Sequence, residues 1–182
     1  MVTSVYGREV PPQSRANLRK LADTIRNVFG ISNKRSFPVT EVLEWGMPQL
    51  FEDFGFEVCT HRELGDKHGE TFPDKHLIRI REDVYERAIE GKGRDRFTVT
   101  HEISHLILLD EVALSYARKS QPTVGLPVFK DSEWQANALA GELLMPLGEI
   151  KQMDRFEISQ RYGVTDSAVE TQIRALRREG VL

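Results

Sequence analysis

The stretch His101-Glu102-Ile103-Ser104-His105 decides how this chain is read. It puts two imidazoles one helical turn apart, with a carboxylate beside the first. On an α-helix, residues i and i+4 share a face, so His101 and His105 can aim ring nitrogens at one metal ion roughly 2.0–2.1 Å away. Glu102 is then free to act as a base. The plain alternative is a pair of partly buried histidines that satisfy hydrogen bonds in a helix core. A third protein ligand separates the two readings, because a catalytic zinc ion takes three protein ligands and keeps an open position for water.

Outward from the motif, Asp95 is placed to cap a helix that runs through both histidines to about Leu109. Phe97, Val99, Ile103 and Leu106–Leu109 make it apolar nearly all round, which predicts a buried element. A stretch with Pro122, Gly125 and Pro127 leads to a second strong helix, EWQANALAGELLM at 133–145, stopped by Pro146. Two residues compete for the third ligand. Glu111 follows the motif closely, but Leu108 stands where a glycine would have to turn the chain, and an unbroken helix carries Glu111 away. Glu133 opens the second helix, which can fold back against the first and present its carboxylate to the histidines. Asn137, one turn later on the same face, can accept the second ring N–H of a ligand histidine. By itself Glu133 also reads as an exposed carboxylate favoured by a helix N-terminus.

Upstream, residues 1–13 with Pro11 and Pro12 read as a loosely held arm. Leu18, Leu21, Ile25, Val28 and Phe29 recur at helical spacing between a Ser14 cap and a Gly30 stop. A short helix is predicted at 39–45. Strands are predicted at 56–59 and 76–80, the second alternating in the period of a half-buried strand, with loop between them around Gly65, Gly69 and Pro73. A helix at 83–88 ends near Gly91 and Gly93. Residues 14–150 form the main domain in this reading, and 151–182 a helical tail of two short helices around Gly163.

The formal net charge of −3 gives no global attraction to nucleic acid or to an anionic membrane. Cys59 is the only cysteine, so no intrachain disulfide forms. The first twenty residues lack the apolar run of a secretory signal, and the dense apolar run around 103–109 is too short to span a bilayer. A cytoplasmic protein is expected.

The stretch RFTVTHEISHLIL (96–108), followed by EWQANALAGELLMP (133–146), resembles the ImmA/IrrE metallopeptidases. The resemblance covers most of the chain and departs at Leu139, where the family has phenylalanine. It implies that His101, His105 and Glu133 bind one zinc ion and that Glu102 is the catalytic acid/base. It also implies an α+β fold of zincin type, a small twisted sheet on a buried HExxH helix with the helical tail behind. The implied activity is zinc-dependent endopeptidase, and the implied substrate a helix-turn-helix transcriptional repressor.

Hydrolysis also needs a donor for the tetrahedral oxyanion, for which Tyr116, His76 and His68 are weak candidates. Substrate is expected to lie as an extended strand on a sheet edge, for which 76–80 is the candidate, with Arg79 and Arg81 able to favour acidic positions. A rival reading comes from ISQRYGVTDSAVETQIRAL (158–176), which resembles a helix-turn-helix and suggests a DNA-binding regulator. Its charge argues otherwise: Lys151, Arg155, Arg161, Arg174, Arg177 and Arg178 are nearly balanced by Asp154, Glu157, Asp166, Glu170 and Glu179. Asp166 and Glu170 on the would-be reading helix repel phosphates. A third class is a zinc-containing module that binds a partner without cutting it.

Overall fold

The computed structural model describes residues 9–116 and 127–182, with side chains for all of these except 110–116. Helix α1 spans Arg15–Val28, with Ser14 accepting from the Asn17 amide as its cap. Helix α2 (Val39–Glu41) continues through a π-helical turn, Val42–Gly46, into α3 (Met47–Leu50). The short helix expected at 39–45 is thus longer and runs through Pro48. Pro48 is tolerated because it falls in the first turn of α3.

Strand β1 (Gly55–Cys59) is followed by α4 (His61–Leu64) and β2 (Gly69–Phe72), then by β3 (Leu77–Arg81). The segment between the two expected strands is therefore not all loop. A Thr60–Glu63 capping box starts α4, and β2 is a third strand too short to show a period. The sheet order is β1-β3-β2, with β3 parallel to β1 and antiparallel to β2.

The strand expected as a substrate edge, 76–80, is accordingly the central one. Its register explains its arginine. Arg79 lies directly opposite Glu57 on one side and Glu70 on the other, and it bonds both, at 3.1 and 2.8 Å. Arg81 is likewise spent on Asp83 and on the Gly65 carbonyl. Neither arginine is left over for substrate. Ile78 and Ile80 alternate with them and are fully buried in the core beneath the sheet.

Helix α5 (Glu82–Ile89) leads into α6, Gly93–Tyr116, which carries the histidine motif. Asp95 does not cap α6. It lies inside the first turn, buried, and receives Arg87 Nε and Nη2 at 3.0 and 2.9 Å. The start is set at Gly93, where a Cβ would come within 2.8 Å of the Val164 backbone. The helix runs beyond the expected end at Leu109, past position 111, without a turn. Val99, Ile103, Leu106, Ile107 and Leu108 are all buried, and Thr100 and Ser104 satisfy their hydroxyls on carbonyls one turn back, at 2.8 and 2.7 Å.

Helices α7 (Ser132–Leu144) and α8 (Leu147–Ile150) follow, then α9 (Arg155–Tyr162) and α10 (Asp166–Arg178). The sheet covers one side of α6, and α7 and α1 pack in sequence on the other. A fully buried Arg26 joins α1 to the end of α7 through the Leu143 carbonyl. The tail belongs to the same core: Ile158, Tyr162, Val164, Val169 and Leu176 are buried in one cluster with Leu18, Phe37 and Leu143. Of the expected N-terminal arm, residues 9–13 are described, and they are pinned. Val10 and Gln13 donate amides to the Lys130 and Phe129 carbonyls, and Val10 is buried. Among the described residues no helix is long and apolar enough to cross a membrane.

Candidate metal centre

His101 and His105 project from one face of α6, and Glu133 reaches them from the first turn of α7. Asp131 caps that turn by accepting the Glu133 amide at 2.9 Å. The two Nε2 atoms are 3.0 Å apart, and the Glu133 carboxylate oxygens lie 3.4 Å from His101 Nε2 and 3.2 Å from His105 Nε2. The three donors fall within 4.8 Å of one another.

A tetrahedral ion with bonds of roughly 2.0–2.1 Å sets its ligand atoms about 3.3 Å apart, which the three separations bracket. Two imidazole lone pairs facing each other at this range repel unless a proton or cation lies between them. The donor set therefore fits a small divalent ion. Two imidazoles and a carboxylate suit zinc and also accept manganese, cobalt or iron.

The electrostatics agree. Burial pushes the His101 ring toward neutrality, but the Glu133 carboxylate, with Glu102 and Asn137, outweighs it and raises its pKa. The two histidines in turn hold the half-exposed Glu133 well below the usual carboxylate range. The site is poised to hold positive charge.

Glu102, next to the first histidine on α6, packs against β2 and is 8% exposed. Thr71 of β2 donates to its Oε2 at 2.7 Å, and Gly69 lies so close that a Cβ there would be 2.9 Å from Glu102 Cγ. The sequence reading missed Thr71 and Gly69, because four residues between two turns show no strand period.

Asn137 is exposed. Its side chain interacts with His101 and raises that ring's pKa, while His101 Nδ1 is buried with no partner in hydrogen-bond geometry among the described residues. His76 is held elsewhere: it closes the turn before β3 in a left-handed conformation, bonds Asp53 and packs on Phe51. His68, half-buried just before β2, has its pKa lowered by burial and by the Arg81 and Arg94 cations. The Tyr116 and Glu111 side chains lie outside the described residues.

The sequence profile of the peptidase M78 family, described as the IrrE N-terminal-like domain, matches residues 51–174, from the end of α3 into α10. No curated protein matches the chain.

Proposed function

Since the chain belongs to the peptidase M78 family of ImmA/IrrE-type metallopeptidases, we propose that it is a zinc-dependent endopeptidase. In this reading His101, His105 and Glu133 are the metal ligands and Glu102 the general acid/base. The observation that carries it is the convergence of two Nε2 atoms and one carboxylate from separate helices within 4.8 Å. When bound, zinc supplies Lewis-acid polarisation of a peptide carbonyl and acidifies water.

The chain supplies the proton chemistry and the positioning. Glu102 Oε2 is occupied by Thr71, while Oε1 makes no hydrogen bond among the described residues. Oε1 takes a proton from the attacking water and delivers it to the leaving amine. The edge for an extended substrate in this reading is β2, next to Glu102, rather than β3. Main-chain bonds along β2 carry the scissile peptide past the carboxylate.

The proposed target is a helix-turn-helix repressor, as the family resemblance implies. The zinc-loaded protein is incubated with candidate helix-turn-helix repressors and the products are weighed by mass spectrometry. One cleavage is expected, and none with Glu102→Gln, which keeps its zinc. Equal cleavage by Glu102→Gln rejects the acid/base role. Stable zinc-dependent binding without cleavage favours the non-cutting module. No observation favours DNA reading by the tail, where Glu170 on α10 is exposed and paired with Arg155 and Arg174.

A further inference from the structure

A cavity of about 600 Å³ opens between the start of α6, the exposed side of α7 and the inner side of α10. Neither histidine, nor Glu102, nor Glu133 lines it, although Trp134 and Asn137, which stand beside the metal cluster on α7, do. The volume lies within the roughly 300–1,000 Å³ of sites that enclose small ligands. We propose that it binds a small organic anion, a compound with a flat apolar body bearing a phosphate, sulfonate or carboxylate group.

Charge is the first argument. Arg15, Arg94, Arg174 and Arg178 line the cavity, and no Asp or Glu does. This reverses the balance of a chain whose net charge is −3. Two of the four are already engaged, Arg15 with Glu142 and Arg174 with Glu170, each at 2.8 Å. Arg94 and Arg178 make no ion pair or side-chain hydrogen bond among the described residues. Arginines without a carboxylate partner at the edge of one cavity suit a multidentate oxyanion.

The walls are the second argument. Phe97 and Trp134, both partly buried, give the cavity aromatic surface on α6 and α7 that suits a flat ring. Gln172 of α10 also lines it and is only 2% exposed. Its Oε1 accepts from Arg15, which ties α10 to α1 at the cavity wall, while its Nε2 is buried behind that wall without a partner among the described residues. Cations at the rim and aromatic surface inside together describe one chemistry. The inference is independent of the peptidase reading and is tested on metal-free protein.

The probe is 8-anilinonaphthalene-1-sulfonate, an aromatic ring system with a sulfonate. Titration of the folded full chain is expected to show saturable one-to-one binding, displaced by adenosine 5′-monophosphate. Charge reversal at two exposed positions, Arg94→Glu with Arg178→Glu, should weaken binding at least tenfold with unchanged circular dichroism. Ala175→Trp, which fills the cavity from α10 without altering charge, should weaken it as much. Absence of saturable binding overturns the proposal, as does equal affinity in the wild type and either folded variant. Displacement by a short DNA duplex but not by the nucleotide also overturns it, in favour of a nucleic-acid phosphate.

Discussion

Thr71 holds Glu102: its Oγ1 lies 2.7 Å from Glu102 Oε2 and 3.1 Å from the main-chain carbonyl of the same residue. The bond fastens β2 to α6 and fixes the carboxylate beside the proposed path of substrate. A hydrogen bond to a charged group contributes about 1.5–3 kcal/mol, and each 1.4 kcal/mol is tenfold in rate. Thr71→Val keeps the shape and the strand preference but removes the donor. It is expected to lower kcat for repressor cleavage by about ten- to a hundredfold, with zinc content unchanged and Thr71→Ser restoring most of the rate. A Thr71→Val enzyme with wild-type kcat would remove the positioning role.

Gly69 is the second β2 residue against this carboxylate. A methyl group there would sit 2.9 Å from Glu102 Cγ and 3.0 Å from Ile80 Cδ1, inside van der Waals contact with both. Ile80 is fully buried and cannot give way freely. Overpacking of this kind costs about 1–3 kcal/mol, or roughly 2–10 °C in Tm for a domain of this size. Gly69→Ala is expected to lose both stability and cleavage, measured by calorimetry and by the repressor assay. Unchanged values in both would mean that Glu102 moves aside at no cost.

What the sequence showed and what it hid have separate physical causes. The α6 and α7 helices were legible because their patterns extend over several turns, and the His-x-x-x-His spacing is intrinsic to one helix. The contact between α7 and α6 that brings Glu133 to the histidines is long-range, and resemblance more than spacing pointed to it. β2 was missed because Gly69–Phe72 makes its case only through pairing with β3. The error about the edge strand followed directly, since 76–80 becomes central once β2 is present. Asp95 was misread because an acidic residue near a helix start can cap it or, as here, pair with an arginine from the helix before.

Metal removal should be read through stability as well as activity. A ligand that binds only the folded state stabilises it by about 2.7 kcal/mol at a hundred times its Kd. Zinc at that level is expected to raise Tm, and a chelator to reverse the gain. Glu133→Ala leaves two imidazoles without the carboxylate and should weaken zinc by more than the roughly 10–100-fold typical of losing an outer partner. Calorimetric titration of both proteins measures it. Wild-type zinc affinity in Glu133→Ala would exclude Glu133 as a ligand.

The tail is expected to be inseparable from the domain it follows. Leu176 and Tyr162 are fully buried, Tyr162 donates to the Asn33 carbonyl, and Arg96 of α6 bonds the Gly163 carbonyl at 3.1 Å. Leu176→Ala should destabilise the whole molecule by about 2–5 kcal/mol in a single unfolding transition. Truncation after residue 150 should give unfolded protein rather than a smaller enzyme. A cooperative, zinc-binding 1–150 fragment would show instead that the tail is a separate unit.

A pH-dependent contribution to stability comes from Tyr85, whose hydroxyl donates to Glu44 across the α5 and α2–α3 boundary. Burial, and then the Glu44 carboxylate, raise its pKa to about 12. The unfolded chain releases this proton near the ordinary value of about 10. The protonated form is therefore favoured by folding: its contribution is complete below about pH 10 and is lost as pH rises toward about 12. Tyr85→Phe lacks the group. The stability difference between wild type and Tyr85→Phe, from urea unfolding, should stay constant between about pH 8 and 10 and then shift against the wild type above about pH 10. A difference that stays flat to about pH 11.5 would mean that Tyr85 titrates alike in both states.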